Sequence, residues 1–167
     1  YKLFVENNLR RALTQNELDV FYQPKLCLRT GRLLGMEALL RWDHPEKGMI
    51  RPDQFSSVAE ETGLIIPIGK WVARQACRMS KQLSAAGFGN LQVAINLSPK
   101  QFSDPDLVAS IAGILKEEQL PPALLELELT EGLLLEATDD TRLQLDQLKE
   151  LGLTCLLYTS PSPRDRG

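Results

Sequence analysis

From residue 91 onward the chain alternates two periods, and this alternation limits the fold more than any other feature. Residues 91–97 (Leu-Gln-Val-Ala-Ile-Asn-Leu) and 124–130 read as short strands, and residues 106–119 and 138–151 as helices, the second closed by Gly152. Strand, helix, strand, helix predicts a parallel sheet with helices outside it. A strand restarting at Leu153 would continue the series.

The first half is organised differently. Leu3, Val5, Leu9, Leu13 and Leu18 recur near helical spacing between polar residues, predicting an amphipathic helix that ends near Asn16 and starts without a capping residue. An uncapped start suits a chain that continues upstream, so residues 1–8 are expected to be a linker and helix start. Residues 19–28 and 33–42 flank the turn signal Arg29-Thr30-Gly31-Arg32, which predicts a hairpin. Pro52 then opens a short helix through Glu61 that Gly63 stops, and residues 68–86 form a longer helix ending near Gly87.

Charge and rare residues exclude several functions. With 19 basic and 22 acidic side chains and a net charge of −3, the chain has no basic field to favour a nucleic-acid polymer or an anionic membrane. No apolar run approaches the roughly 18 residues of a membrane span, and no signal-peptide core is present, so the segment reads as cytoplasmic. Cys27, Cys77 and Cys155 lack metal or redox spacing. His44 is the single histidine, so sites needing several imidazoles cannot be built, and a structural role is expected for it. Any hydrolysis would rest on carboxylates and a metal.

Strand parity then selects the residues. Glu37, Leu39 and Arg41 share one face of their strand; Ala94, Asn96 and Ser98 oppose Val93, Ile95 and Leu97; Glu126, Glu128 and Thr130 oppose Leu125, Leu127 and Leu129. A solvent-facing ion pair would explain Glu37 and Arg41 alone. A parallel sheet covered by helices on both sides, however, is apolar on both faces. In a closed barrel the C-terminal strand ends instead present polar groups to a common mouth. Glu37, Asn96 and Glu128 could converge there as hard oxygen ligands for Mg²⁺ or Mn²⁺.

Five segments together carry a family resemblance: Tyr22-Gln23-Pro24, Glu37-Ala38-Leu39-Leu40-Arg41-Trp42, Ala59-Glu60-Glu61-Thr62-Gly63-Leu64-Ile65, Asn96-Leu97-Ser98 and Glu128-Leu129-Thr130-Glu131. In order and spacing they resemble the EAL domain of bacterial cyclic di-GMP phosphodiesterases over about residues 9–153. The resemblance implies an α/β fold, a modified TIM (β/α)8 barrel with one antiparallel strand, truncated here after about five of its eight strands. It also implies metal-dependent hydrolysis of cyclic di-GMP to pGpG with two Mg²⁺ or Mn²⁺ ions in the complete domain. Glu37, Asn96 and Glu128 match metal-ligand positions, Arg41 a phosphate contact, Gln23 a residue lining the nucleotide groove, and Glu131 a loop-stabilising glutamate. A homodimer of the full domain is one arrangement open to it.

The pattern breaks after Leu153. Family members continue there with a strand ending in Asp-Asp-Phe-Gly and then a catalytic lysine. Here Cys155 to Asp165 instead resembles, codon by codon, an in-frame translation of a common transposase sequencing adapter. Residues 154–167 are therefore expected to be a non-native, disordered tail. With the lysine and paired aspartates missing, no catalytic residue is assigned and the fragment is expected to be inactive. Two other functions stay open for the parent: a degenerate, non-catalytic cyclic di-GMP receptor, or a protein-interaction domain.

Overall fold

The computed structural model describes residues 1–158, with Glu131 and Tyr158 described only as backbone. The hairpin is present. Strands β1 (Leu18–Leu26) and β2 (Leu33–His44) run antiparallel, with Gln23 opposite Glu37 and Asp19 opposite Arg41. A short strand the sequence did not announce, β3 (Gly48–Ile50), folds back on the far end of β2. Then β4 (Gln92–Asn96), β5 (Leu125–Thr130) and β6 (Thr154–Tyr158) add in parallel, giving the order β1-β2-β4-β5-β6. Among the described residues this sheet is open, with β1 and β6 at its edges.

Five of the six α-helices among the described residues fall where periodicity puts them, with small shifts at the ends. The six are α1 (Lys2–Thr14), α2 (Pro52–Thr62), α3 (Ile65–Ala85), α4 (Leu107–Glu117), α5 (Glu131–Leu135) and α6 (Asp139–Glu150), of which the short α5 is unannounced. Pro52 lies in the first turn of α2, where its missing N–H costs nothing, and Gly63 ends that helix at φ +79°. Thr138 caps α6 by accepting the Thr141 N–H. Among the described residues no helix is long and apolar enough to cross a membrane.

Two apolar clusters hold these elements. One lies behind the sheet: Val93, Ile95, Leu125, Leu127 and Leu129 pack against Ala73, Cys77, Ile111 and Leu148 from α3, α4 and α6. The other gathers α1, α2 and the start of α3 around Trp42, which is fully buried. Residues 1–8 are therefore more than a linker. They supply the first turns of α1, and Val5 is buried completely.

The boundary expected at residue 154 shifts as well. Thr154–Tyr158 form β6, paired with β5 from Glu126↔Thr154 to Thr130↔Tyr158. Thr, Cys, Leu, Leu and Tyr suit a pleated, half-buried surface, and Pro161 and Pro163, which argue against a strand, lie beyond it. The remainder of the expected tail, residues 159–167, lies outside the described residues.

His44 is a structural residue. It is buried, and its Nδ1 accepts the backbone N–H groups of Glu46 and Lys47, each at 3.1 Å, which shapes the turn between β2 and β3. The ring proton is thereby placed on Nε2, which donates to Asn8 Oδ1 on α1 at 3.2 Å. One imidazole ties the turn to the first helix.

Candidate active site

Register decides which polar residues meet. Gln23 lies opposite Glu37, Glu37 beside Ala94, Ala94 beside Glu126, and Asn96 beside Glu128. Neighbours across a ladder share a face, so Gln23, Lys25, Glu37, Arg41, Asn96, Glu126 and Glu128 all project from the side opposite the apolar cluster behind the sheet. The Leu97 N–H donates to the Glu128 carbonyl at 3.1 Å and carries the pairing one residue past Asn96. That bond fixes Asn96 and Glu128 side by side.

The sheet is curled around this face. Lys25 on β1 donates to Glu128 on β5 and lies 3.5 Å from Glu126 Oε1, although β2 and β4 intervene. In a flat sheet those backbones would stand about 14 Å apart, more than two side chains readily bridge. The contact requires the coiling expected of a barrel wall.

Charges in this hollow are closely coupled. Glu128 is 6% exposed, and its carboxyl lies within hydrogen-bonding reach of Glu37. Burial pushes the Glu37 carboxyl up to about 7; the hydrogen bond and charge of Glu128 push the same way, and Lys25 opposes them. For Lys25, burial acts to lower the ammonium, but the hydrogen bond and charge of Glu128, then the charges of Glu126 and Glu37, outweigh it and raise it. The lysine is the cation this group of carboxylates retains.

Above that layer, toward the C-terminal strand ends, a cavity of about 340 Å³ is lined by Arg41, Asn96, Ser98 and Glu128, with Phe55 and Ile68 forming part of its apolar wall. Arg41 is half-buried, donates to the Leu40 carbonyl at 3.0 Å and lies 5.5 Å from the centre of the Phe21 ring. Its cation lies over an aromatic face. Gln23 is exposed, across the ladder from Glu37, and does not line the cavity. The side chain of Glu131 lies outside the described residues.

The turn after β4 is braced from behind. The Ser98 N–H donates to Gln101 Oε1 at 2.9 Å, and buried Gln101 lies against Gly69 of α3 so closely that a Cβ there would be 2.1 Å from Gln101 Nε2. Gly69 is thus a glycine for lack of space. Gly35, opposite Lys25, is another, since its Cβ would lie 2.5 Å from the Gln92 carbonyl oxygen.

Glu37, Asn96 and Glu128 therefore stand together, with Arg41 on the same rim. Among the described residues no group of three or more His, Cys, Asp or Glu side chains is arranged to hold a metal ion. On this face Glu37 and Glu128 present two carboxyls and Asn96 an amide, with Glu126 nearby. Sequence reasoning missed Lys25 and Glu126. Parity alone places each beside a chosen residue, Lys25 with Gln23 and Glu126 with Glu128, and that signal was available.

Comparison with known proteins assigns the chain as a whole to a family. The EAL domain family model matches residues 6–159. The bifunctional diguanylate cyclase/cyclic di-GMP phosphodiesterase MucR of Pseudomonas aeruginosa is 41% identical over 147 residues, which is 88% of this chain and 22% of that protein. The cyclic di-GMP phosphodiesterase PdeR of Escherichia coli is 37% identical over 150 residues, 90% of this chain and 22% of that protein. A solved structure described as the PaMucR phosphodiesterase in complex with c-di-GMP superposes with a TM-score of 0.87 at 38% identity, covering 95% of this chain and 66% of that one. The chain thus spans 22% of the length of these two curated relatives and 66% of the solved one. With a match over residues 6–159 and the same α/β wall, the chain belongs to the EAL domain family.

Proposed function

We propose that the domain containing these residues is a divalent-metal-dependent phosphodiesterase that hydrolyses cyclic di-GMP to pGpG in bacterial second-messenger signalling. The observation that carries this reading is the side-by-side register of Asn96 and Glu128, with Glu37 in reach of Glu128 and Arg41 on the same cavity. The substrate is the ligand in the solved MucR relative. A domain that hydrolyses a cytoplasmic second messenger would work in the cytoplasm.

The residues fit a hard divalent ion, Mg²⁺ or Mn²⁺. Their donors are carboxylate and amide oxygens, without sulfur or imidazole. Burial first, and then the neighbouring Glu128 carboxyl, push Glu37 up to about 7, and a cation between the two carboxyls would favour their charged forms. Glu37, Asn96 and Glu128 would hold it. When bound, such ions supply Lewis acidity that activates water and neutralises charge building on the phosphoryl oxygens.

The chain's own groups do the rest by position. Arg41 would complement a substrate phosphate through charge-assisted, fork-shaped hydrogen bonding, pre-oriented by Phe21. Gln23 would line the outer part of the nucleotide groove, and Glu131 would steady the loop that follows β5. The bond that the Ser98 N–H donates to Gln101 Oε1 braces the turn that follows Asn96.

The test is nucleotide chromatography of cyclic di-GMP incubated with the complete domain that begins with this sequence. Metal-dependent pGpG release is expected, and Glu37→Gln, Asn96→Ala and Glu128→Gln should each reduce kcat/KM on the order of 100-fold or more. The 167-residue chain alone is expected to show no turnover, because the family's aspartate pair and lysine have no counterpart in it. Release unchanged by EDTA or by Glu128→Gln would overturn the reading.

A further inference from the structure

We propose that Lys25 is a displaceable internal counter-cation: its ammonium holds Glu128 while the site is unloaded, and an incoming divalent ion must push it aside onto Glu126. The inference rests on the reading of Glu128 as a metal ligand and adds a role for two residues outside that ligand set.

Four observations carry it. Lys25 donates to Glu128 across two intervening strands, so the contact is not a by-product of neighbouring strand pairing. Glu128 is buried, and a buried carboxylate without a partner is costly, so a neighbouring cation is favoured while the site is unloaded. Gly35, opposite Lys25 on β2, presents no side chain that would obstruct the lysine as it leans over the sheet. Finally, Glu126 Oε1 lies 3.5 Å from the same ammonium, so the lysine has a second carboxylate to rest on when it leaves the first.

The physical consequence is a threshold. An ammonium is a compact point charge on a flexible stem, able to satisfy a carboxylate and to withdraw without rebuilding the strand. Metal binding must then replace one charge-assisted hydrogen bond, which weakens apparent affinity. Withdrawal is eased because Glu126 keeps the lysine paired.

The experiment is a titration with Mn²⁺ of the complete domain that begins with this sequence, following free ion by electron paramagnetic resonance, in the unaltered protein and in Lys25→Met, Lys25→Arg, Glu126→Gln and Glu128→Gln. Lys25→Met should bind Mn²⁺ about tenfold more tightly, the equivalent of one charge-assisted hydrogen bond no longer displaced. Lys25→Arg, which keeps the charge, should stay near the unaltered affinity, whereas Glu126→Gln should weaken binding and Glu128→Gln should abolish it. Equal affinity in Lys25→Met and the unaltered protein, with loss in Glu128→Gln, would overturn the displacement while leaving the ligand reading intact. No binding in the unaltered protein and none in Lys25→Met would overturn both. If Lys25→Met lacks a native circular-dichroism spectrum, Lys25→Gln replaces it; failure of both to fold would overturn the proposal, by making the ammonium a folding requirement instead of a removable ion.

Discussion

The carboxyl of Glu37 on β2 lies within hydrogen-bonding reach of the carboxyl of Glu128 on β5, although the two strands are separated by β4. Burial, and then the hydrogen bond and charge of Glu128, disfavour ionisation of Glu37. Its carboxyl titrates near 7 in the folded chain, against an ordinary 4.5.

This sets a pH dependence of stability. Between about pH 4.5 and 7 the folded chain holds a proton that the unfolded chain has lost, so stability falls as pH rises through that window. Glu37→Gln has no proton to lose. In metal-free buffer, melting temperature measured across the window should decline for the unaltered chain and decline less for Glu37→Gln. Parallel curves would contradict the assignment.

Gly69→Ala should disturb the site without touching it. The new Cβ displaces the Gln101 side chain, and the Ser98 N–H loses its acceptor. A loss of about 1–3 kcal/mol in urea unfolding is expected. If the mechanism is the clash with Gln101, combining Gly69→Ala with Gln101→Ala should cost clearly less than the two separate losses added together.

His44→Ala removes the acceptor for two backbone N–H groups and the donor to Asn8. The expected cost is about 1–3 kcal/mol, with more for the ring's contacts to Phe4 and Trp42. Catalysis in the complete domain should keep its metal dependence. A change in Mn²⁺ affinity with unaltered stability would point to a chemical role instead.

The cysteines should separate by reactivity near neutral pH. Hydrogen bonds from the Thr30 side chain, then from the Thr30 and Arg29 backbone, hold the Cys27 thiol below its ordinary value. Burial pushes Cys77 up to about 11, with Glu118 acting the same way and Arg74 against it. Iodoacetamide labelling read by mass spectrometry should modify Cys27 first and Cys77 only as the chain unfolds.

How far these features could be read without coordinates depends on their range along the chain. The facing of Glu37, Asn96 and Glu128 was legible because strand parity is a strictly local property. The hairpin was legible because Gly31 marks its turn. The partnership of Lys25 with Glu128 was not, because it depends on how far the sheet coils, and no local pattern encodes coiling. Strand β3 and helix α5 escaped because three and five residues are too few to establish a period. Helix α3 starts at Ile65 rather than residue 68 because Pro67 sits in its first turn, where a proline extends a helix instead of breaking it. Residues 154–158 read as tail because periodicity is lost after Leu153 and Cys155 to Asp165 matches a sequencing adapter codon by codon, and neither signal reports that the same residues can pair with β5.

The two sides of the wall carry separate burdens. Leucines and valines behind the sheet supply most of the cohesion, whereas the acidic, amide and basic groups in front contribute little to it and crowd like charges together. Chemistry and cohesion are therefore coded at alternate positions of the same strands. Descendants of such a sequence can rewrite every second letter, abandoning or retuning their reactivity, while the scaffold beneath survives intact.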